Sequence, residues 1–199
     1  MLLKIADHSD IDDALALHYR YQIDSIPDED RKDGFVTTPF TREELAALID
    51  RERGLFVARD GGRVTAYVMA ASWDFWSPWP LFAFMIRELP GLSYRGRRLS
   101  CENSYQYGPV CLDKSVRGSG TLEAIFHFAR REMAARFPVL VTFVNQVNGR
   151  SLAAHTRKLG LDVIHEFGFN NNRYAELACL TRDAERDVKQ DAERDVARK

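Results

Sequence analysis

A glycine-rich turn stands near the middle of the chain: Leu112-Asp113-Lys114-Ser115-Val116-Arg117-Gly118-Ser119-Gly120-Thr121-Leu122. It joins a strand-like stretch, 99–112, to an amphipathic helix, 121–137. The first N–H groups of a helix have no internal partner and lie at the positive end of its dipole. Glycine lets backbone approach a bulky anion, and Arg117 adds side-chain charge. The combination suits a pyrophosphate. It is not a Walker loop, because no Gly-Lys-Ser/Thr follows. It is not a dinucleotide fingerprint either, because the Gly-x-Gly-x-x-Gly run is incomplete. By itself the turn leaves open a plain strand-to-helix connection.

Composition narrows the setting. The chain has 199 residues, 28 Lys+Arg against 29 Asp+Glu, and 45% hydrophobic residues. That is ample for one buried core, and the balanced charge argues against a nucleic-acid-coating protein. Cys101, Cys111 and Cys179 form no Cys-x-x-Cys pair, and no His lies near them at zinc-finger spacing. Neither a disulfide framework nor a metal site is expected. The first ten residues meet acidic side chains before any long apolar run, and no stretch reaches the ~20 apolar residues of a membrane span. A cytoplasmic, reducing setting without membrane contact is expected.

The elements that must position the turn are legible. Leu2, Leu3 and Ile5 read as a first strand, and Asp7, Ser9 and Asp10 as the start of a helix. Thr41 and Glu44 have capping-box spacing, with Phe40 and Leu45 placed to staple the helix. Gly54 is expected to end it. Asp60-Gly61-Gly62 predicts a tight hairpin between 55–58 and 64–71. Residues 72–98 carry Trp73, Trp76 and Trp79 among prolines, predicting either packing or a pocket wall, with a short helix at 83–89. Gly108-Pro109 predicts a bend or bulge in the long strand. In the 121–137 helix, Leu122, Ile125, Phe126, Ala129 and Met133 face inward and Arg130 outward. An apolar strand at 139–144, a helix at 151–159 ended by Gly160, and strands at 163–167 and 174–180 follow. One domain over 1–181 and a charged tail over 182–199 are expected.

The glycine turn resembles the acetyl-CoA-binding motif of the GNAT superfamily of N-acetyltransferases, Gln/Arg-x-x-Gly-x-Gly/Ala after a strand. Arg117 and Gly120 match the first and fourth positions, and Gly118 matches a common variant. Leu122 departs from the last. A second block, Asn148-Gly149-Arg150-Ser151 followed by His155 and Lys158-Leu159-Gly160-Leu161, resembles the family's Asn-x-x-Ala/Ser and Lys-Leu-Gly-Phe segment. It is one residue longer between Ser151 and Gly160. The family often places a proton-donating Tyr in this helix. Counting from Asn148 puts His155 there, and counting back from Gly160 puts Thr156. Imidazole is the better acid.

The resemblance implies an α/β (α+β) fold: a mixed, mostly antiparallel sheet of about six or seven strands with about four helices, splayed between strands 4 and 5. It implies acetyl-CoA as acyl donor, its pantetheine along Val110, Cys111 and Leu112. The pyrophosphate would lie on Arg117, Gly118, Ser119, Gly120, Thr121 and Leu122, with Asn148 and Ser151 nearby. The implied reaction is direct transfer, in a ternary complex, to a primary amine of a small molecule or protein. His155 would be the acid, and the base would come from Glu102, Tyr105 or Tyr107. A non-catalytic acyl-CoA-binding module of the same fold is the alternative, a longer acyl donor a further one. A homodimer stays open.

Overall fold

The computed structural model describes residues 1–27, 29, 31 and 34–182. Most of the 28–33 loop and nearly all of the expected tail lie outside the described residues. The chain runs β1 (Leu2–Ile5), α1 (Ile11–Arg20), α2 (Arg42–Ala47), β2 (Leu55–Asp60), β3 (Arg63–Ala71), α3 (Trp73–Trp76), α4 (Pro80–Glu88), β4 (Ser93–Tyr94), β5 (Arg97–Arg98), β6 (Ser104–Leu112), α5 (Thr121–Met133), β7 (Val139–Asn145), α6 (Gly149–Ala153), β8 (Asp162–Phe169) and β9 (Asn172–Leu180). The main sheet has seven strands in the order β1-β2-β3-β6-β7-β9-β8. Every pairing in it is antiparallel except β6 with β7.

Side-chain alternation builds two cores. On β2 and β3, Leu55, Val57, Tyr67, Met69 and Ala71 pack toward α1, α2, α3 and α4. Phe56, Ala58, Ala66, Val68 and Ala70 pack toward α5. Strands buried on both faces have no polar side to present, which accounts for their near-continuous apolar sequence. The Asp60-Gly61-Gly62 turn forms as expected, with φ of 56° and 82° at its glycines. The Thr41 hydroxyl accepts from the Glu44 N–H at 3.2 Å, and the Glu44 carboxylate accepts from the Thr41 N–H at 2.8 Å. Phe40 and Leu45 bury together beneath this cap.

Gly54 has a different task from the one expected. After Ala47 the second helix continues as a π turn, Leu48–Glu52, and the left-handed residue closing it is Arg53, at φ 50°. A Cβ on Gly54 would meet the Ala70 carbonyl oxygen at 2.0 Å, so glycine lets β3 pass close by. The aromatic segment forms two further helices, giving six among the described residues rather than about four. Trp73 and Trp76 are fully buried, and Trp76 packs on Phe40 and Phe82. Their task is packing.

The strand expected from residue 99 begins at Ser104. Asn103 explains the delay: its side chain accepts from the Ser100 N–H and donates to the Arg98 carbonyl, closing a turn. Gly108 and Pro109 together face Met69 alone, forming the bulge. Helix α5 stops at Met133, short of 137. Arg130 is buried with its guanidinium 5.6 Å from the Phe126 ring centroid, so it does not face outward.

Candidate active site

The parallel pairing of β6 with β7 is short. Ser104, Tyr105 and Gln106 match Val139, Leu140 and Val141, and there it ends. Strand β7 continues to Asn145 beside β9, while β6 continues to Leu112 beside β3. The facing edges part after Gln106, as the Gly108-Pro109 bulge begins. Backbone groups on an unpaired strand edge need partners, so this gap is a template for an extended ligand.

A cleft of about 490 Å³ runs along the β6 edge of the gap, between it and the segment that follows β7. Tyr21, Phe35 and Val36 wall one side, and Leu122, Ala153, Ala154 and His155 the other. Val110, Cys111 and Leu112 form its floor. Among the described residues, Arg117, Arg150, Arg157 and Lys158 line it together with a single acid, Glu123. One cleft thus combines an apolar channel with a cluster of cations. The donor set fits a polyanionic head carrying a slim, neutral arm, as acetyl-CoA does.

The glycine turn adds backbone donors. Gly118 and Gly120 sit at φ 81° and 85°, and a Cβ at either would meet nothing within 4 Å. Their need for glycine is therefore conformational, and the space before them is open. Gly120 is the N-cap of α5 and its carbonyl accepts from the Ala124 N–H. The N–H groups of Thr121, Leu122 and Glu123 consequently lack intrahelical acceptors. Arg117 is held by its Nε, which donates to the Leu112 carbonyl at 3.1 Å, and by the Tyr21 ring, 4.8 Å away. Asp113 braces the turn, accepting from Ser115 and from Arg20. These bonds hold its carboxyl down at about 2.

The second block meets this turn across the cleft. Asn148 lines the cleft, but its amide is already engaged. Its oxygen accepts from the Ser151 N–H, capping α6, and its nitrogen donates to the Phe35 carbonyl, tying down the opposite wall. After Ala153 the helix widens into a π turn, Ala154–Lys158. A π turn accommodates one extra residue, which accounts for the longer spacing between Ser151 and Gly160. The widening also separates the two candidates. His155 lines the cleft; Thr156 does not, and its hydroxyl donates back to the Leu152 carbonyl.

His155 is buried, with Nδ1 2.8 Å from the Ser151 carbonyl. A carbonyl only accepts, so Nδ1 carries the proton and Nε2 the lone pair. Burial lowers its pKa from the ordinary histidine value, outweighing the opposite effect of the Ser151 bond. The resting imidazole is therefore neutral, a base before it is an acid.

The other sequence-selected residues divide. Val110, Cys111, Leu112, Arg117, Gly118, Leu122, Asn148 and Ser151 line the cleft. Ser119, Gly120 and Thr121 lie outside its lining, Ser119 bonded to Val116 and Thr121 buried beneath the helix start. Glu102 is exposed in the turn before β6, at the end of that strand away from the cleft. Tyr107 lines neither cavity. It stacks edge-on to Phe126 and His155, with its hydroxyl buried and unpartnered. Burial drives the hydroxyls of Tyr105 and Tyr107 well above the usual phenol range. The Cys111 thiol is likewise pushed up to about 12 by burial.

Sequence reasoning missed Phe35, Val36, Arg157 and a second cavity of about 90 Å³. Gln106, Phe82, Phe143 and Tyr174 line that cavity, which shares His155 and Ser151 with the larger cleft. No local signal marks these residues, because strand register brings them together. Among the described residues no group of side chains could hold a metal ion, and no helix is long and apolar enough to cross a membrane.

Neither a family model nor a curated protein sequence matches the chain. Its fold is nonetheless shared by many solved structures. An N-acetyltransferase from Staphylococcus aureus Mu50 superposes with TM-score 0.59 at 16% identity, covering 91% of this chain and 98% of that one. The ribosomal-protein-S18-alanine N-acetyltransferase from Escherichia coli gives TM-score 0.58 at 10% identity, covering 92% and 94%. The Salmonella typhimurium protein yncA, solved with its cofactor acetyl-CoA, gives 0.60 at 13%, covering 92% and 95%. The chain has the GNAT fold, with the expected mostly antiparallel sheet splayed between its fourth and fifth strands, β6 and β7.

Proposed function

We propose that the protein is an N-acetyltransferase that moves an acetyl group from acetyl-CoA to a primary amine within one ternary complex. The observation that carries this reading is the cleft itself. It is an apolar channel along the unpaired edge of β6 that ends in open, donor-rich backbone and four cationic side chains. The three structural relatives named above include acetyltransferases and a protein solved with acetyl-CoA. Their names give different acceptors or none, so the acceptor does not follow from them.

When bound, acetyl-CoA supplies a thioester carbonyl open to attack. The turn at Gly118 and the first N–H groups of α5 hold its pyrophosphate, and Arg117 adds charge. The unpaired edge at Val110, Cys111 and Leu112 holds the neutral arm. An N–H on that edge stabilises charge developing on the carbonyl oxygen. His155 Nε2 takes a proton from the ammonium form of the acceptor, releasing the lone pair that attacks. The resulting imidazolium then protonates the departing sulfur, which joins the base role to the acid role assigned from sequence. Both thiols near β6 are disfavoured as nucleophiles: burial raises the pKa of Cys111, and burial with Glu102 that of Cys101. This supports direct transfer over a covalent relay.

Calorimetry with acetyl-CoA and CoA release over a panel of amines test the reading. Micromolar binding with turnover supports it. Binding without turnover supports the non-catalytic module instead, and no binding at millimolar ligand removes it.

A further inference from the structure

The second cavity has a chemistry of its own. It holds about 90 Å³ and meets the larger cleft at His155 and Ser151. Gln106 lines it and is only 1% exposed. Its Nε2 donates to the Gly108 carbonyl at 3.5 Å, which fixes the orientation of the amide. Oε1 is left buried with no partner. A buried acceptor without a donor is costly, and native proteins keep few of them. A ligand N–H supplies the missing donor.

Glu176 provides a second acceptor beside the same wall. On β9 it pairs with Phe143 of β7 and stands two residues from Tyr174, so it shares the face of both lining aromatics. It is 1% exposed, and its Oε1 also lacks a partner. Burial, reinforced by Glu88, raises its carboxyl to about 7. The described residues lining the cavity include no Lys or Arg. Glu176 is not itself among the lining residues, so what the wall offers directly is the Gln106 acceptor for a donor on an apolar stem, with no counter-charge to a carboxylate. Size adds a limit. A cavity of ~150 Å³ takes benzene, so a space of this volume suits a short unbranched chain better than a ring or a branched carbon.

We propose that this cavity is the acceptor pocket and takes the amino end of an unbranched alkyl chain, one N–H donated to Gln106 Oε1. The source is a free alkylamine or a lysine side chain. Amines on a branched carbon bearing a carboxylate or amide carbonyl are disfavoured. The inference rests on the acetyl-transfer reading. In the reaction the N–C bond forms and the C–S bond breaks, so that an ammonium and a thioester become an amide, a thiol and one released proton.

Two measurements keep the claims apart. Calorimetry with acetyl-CoA reports whether the donor binds, independently of any acceptor. CoA release is then followed with n-butylamine, Nα-acetyl-lysine amide and L-alaninamide. The expected kcat/KM for at least one of the first two exceeds that for alaninamide by about thirtyfold or more. Whichever of the two is preferred identifies the source. Gln106→Leu is expected to raise KM for the preferred amine about tenfold while acetyl-CoA affinity stays within twofold. Glu176→Gln is expected to raise that KM about threefold. Alaninamide equal to or better than both amines, in a protein that binds acetyl-CoA, overturns this inference and leaves acetyl transfer standing. An unchanged KM in a folded Gln106→Leu protein overturns it equally. Failure to bind acetyl-CoA removes both. Should Gln106→Leu not fold, the ranking of amines on the unaltered protein decides.

Discussion

Replacing His155 with alanine removes the imidazole from the junction of the two cavities and leaves the glycine turn, Arg117 and the β6 edge in place. An alkylammonium has a pKa near 10.4, so at pH 7.5 only about one molecule in 10³ is the free amine. The neutral imidazole gives the bound ammonium a local acceptor for that proton, so deprotonation takes place within the complex. General base catalysis is typically worth about 10²–10⁴ in rate, so kcat should fall by about 10²–10³, or ~3–4 kcal/mol of barrier. The affinity for acetyl-CoA should change less than about threefold, because His155 is one of many residues lining the cleft. The pH profile gives the sharper distinction. Burial disfavours the imidazolium, so the folded pKa lies below the ordinary 6.5. Wild-type kcat should then lose activity on acidification only below about pH 6.5. The variant should lack that limb, its rate rising about tenfold per pH unit toward the amine's own pKa. Continuous detection of released thiol from pH 5.5 to 9 measures both curves. A variant within threefold of wild type, or one that retains the acid limb, refutes the reasoning.

Three further outcomes follow from the geometry. Arg117→Ala removes the guanidinium that lines the cleft against Tyr21, so the Kd for acetyl-CoA should rise about tenfold at low salt and by less at high salt; an equal Kd in calorimetry contradicts the anion assignment. Gly54→Ala drives a Cβ into the Ala70 carbonyl and should cost about 3 kcal/mol, a fall of roughly 6–12 °C in Tm for a chain of this size; an unchanged Tm refutes the close approach. His18 is fully buried against the Tyr67 hydroxyl, and burial lowers its pKa to about 4. Between that value and the unfolded value near 6.5 only the unfolded chain binds the proton, so stability falls as pH falls through this window, by about 3 kcal/mol. In urea titrations wild type should lose that much more than His18→Gln between pH 6.5 and 4, and equal losses contradict it.

What was legible in the sequence was local chemistry. The Thr41–Glu44 box, the Asp60-Gly61-Gly62 hairpin and the bulge at Gly108-Pro109 each act within a few residues. The glycine turn before α5 is of the same kind, since positive φ and a helix start announce themselves in residue types. Contacts set by register were hidden. Gly54 was read as a helix terminator because nothing nearby in sequence reveals the Ala70 carbonyl. The charge of Arg130 points to solvent, whereas its helical phase brings its guanidinium over the Phe126 ring. The extra residue after Ser151 left His155 and Thr156 in competition, and only the π turn shows which enters the cleft. Gln106 and Glu176 carry no motif. Their interest comes from burial without partners, a property of packing. Glu102 fitted the residue type wanted for a base but lies at the wrong end of β6.

The central claim is that the parting of β6 and β7 holds acetyl-CoA with its diphosphate on the first amides of α5. Residue-resolved NMR of the backbone amides during titration with acetyl-CoA reads this directly. Saturable shifts should be largest at Gly118, Gly120, Thr121, Leu122 and Glu123, with a second group at Val110, Cys111 and Leu112. Shifts concentrated elsewhere, or none at millimolar ligand, contradict the account.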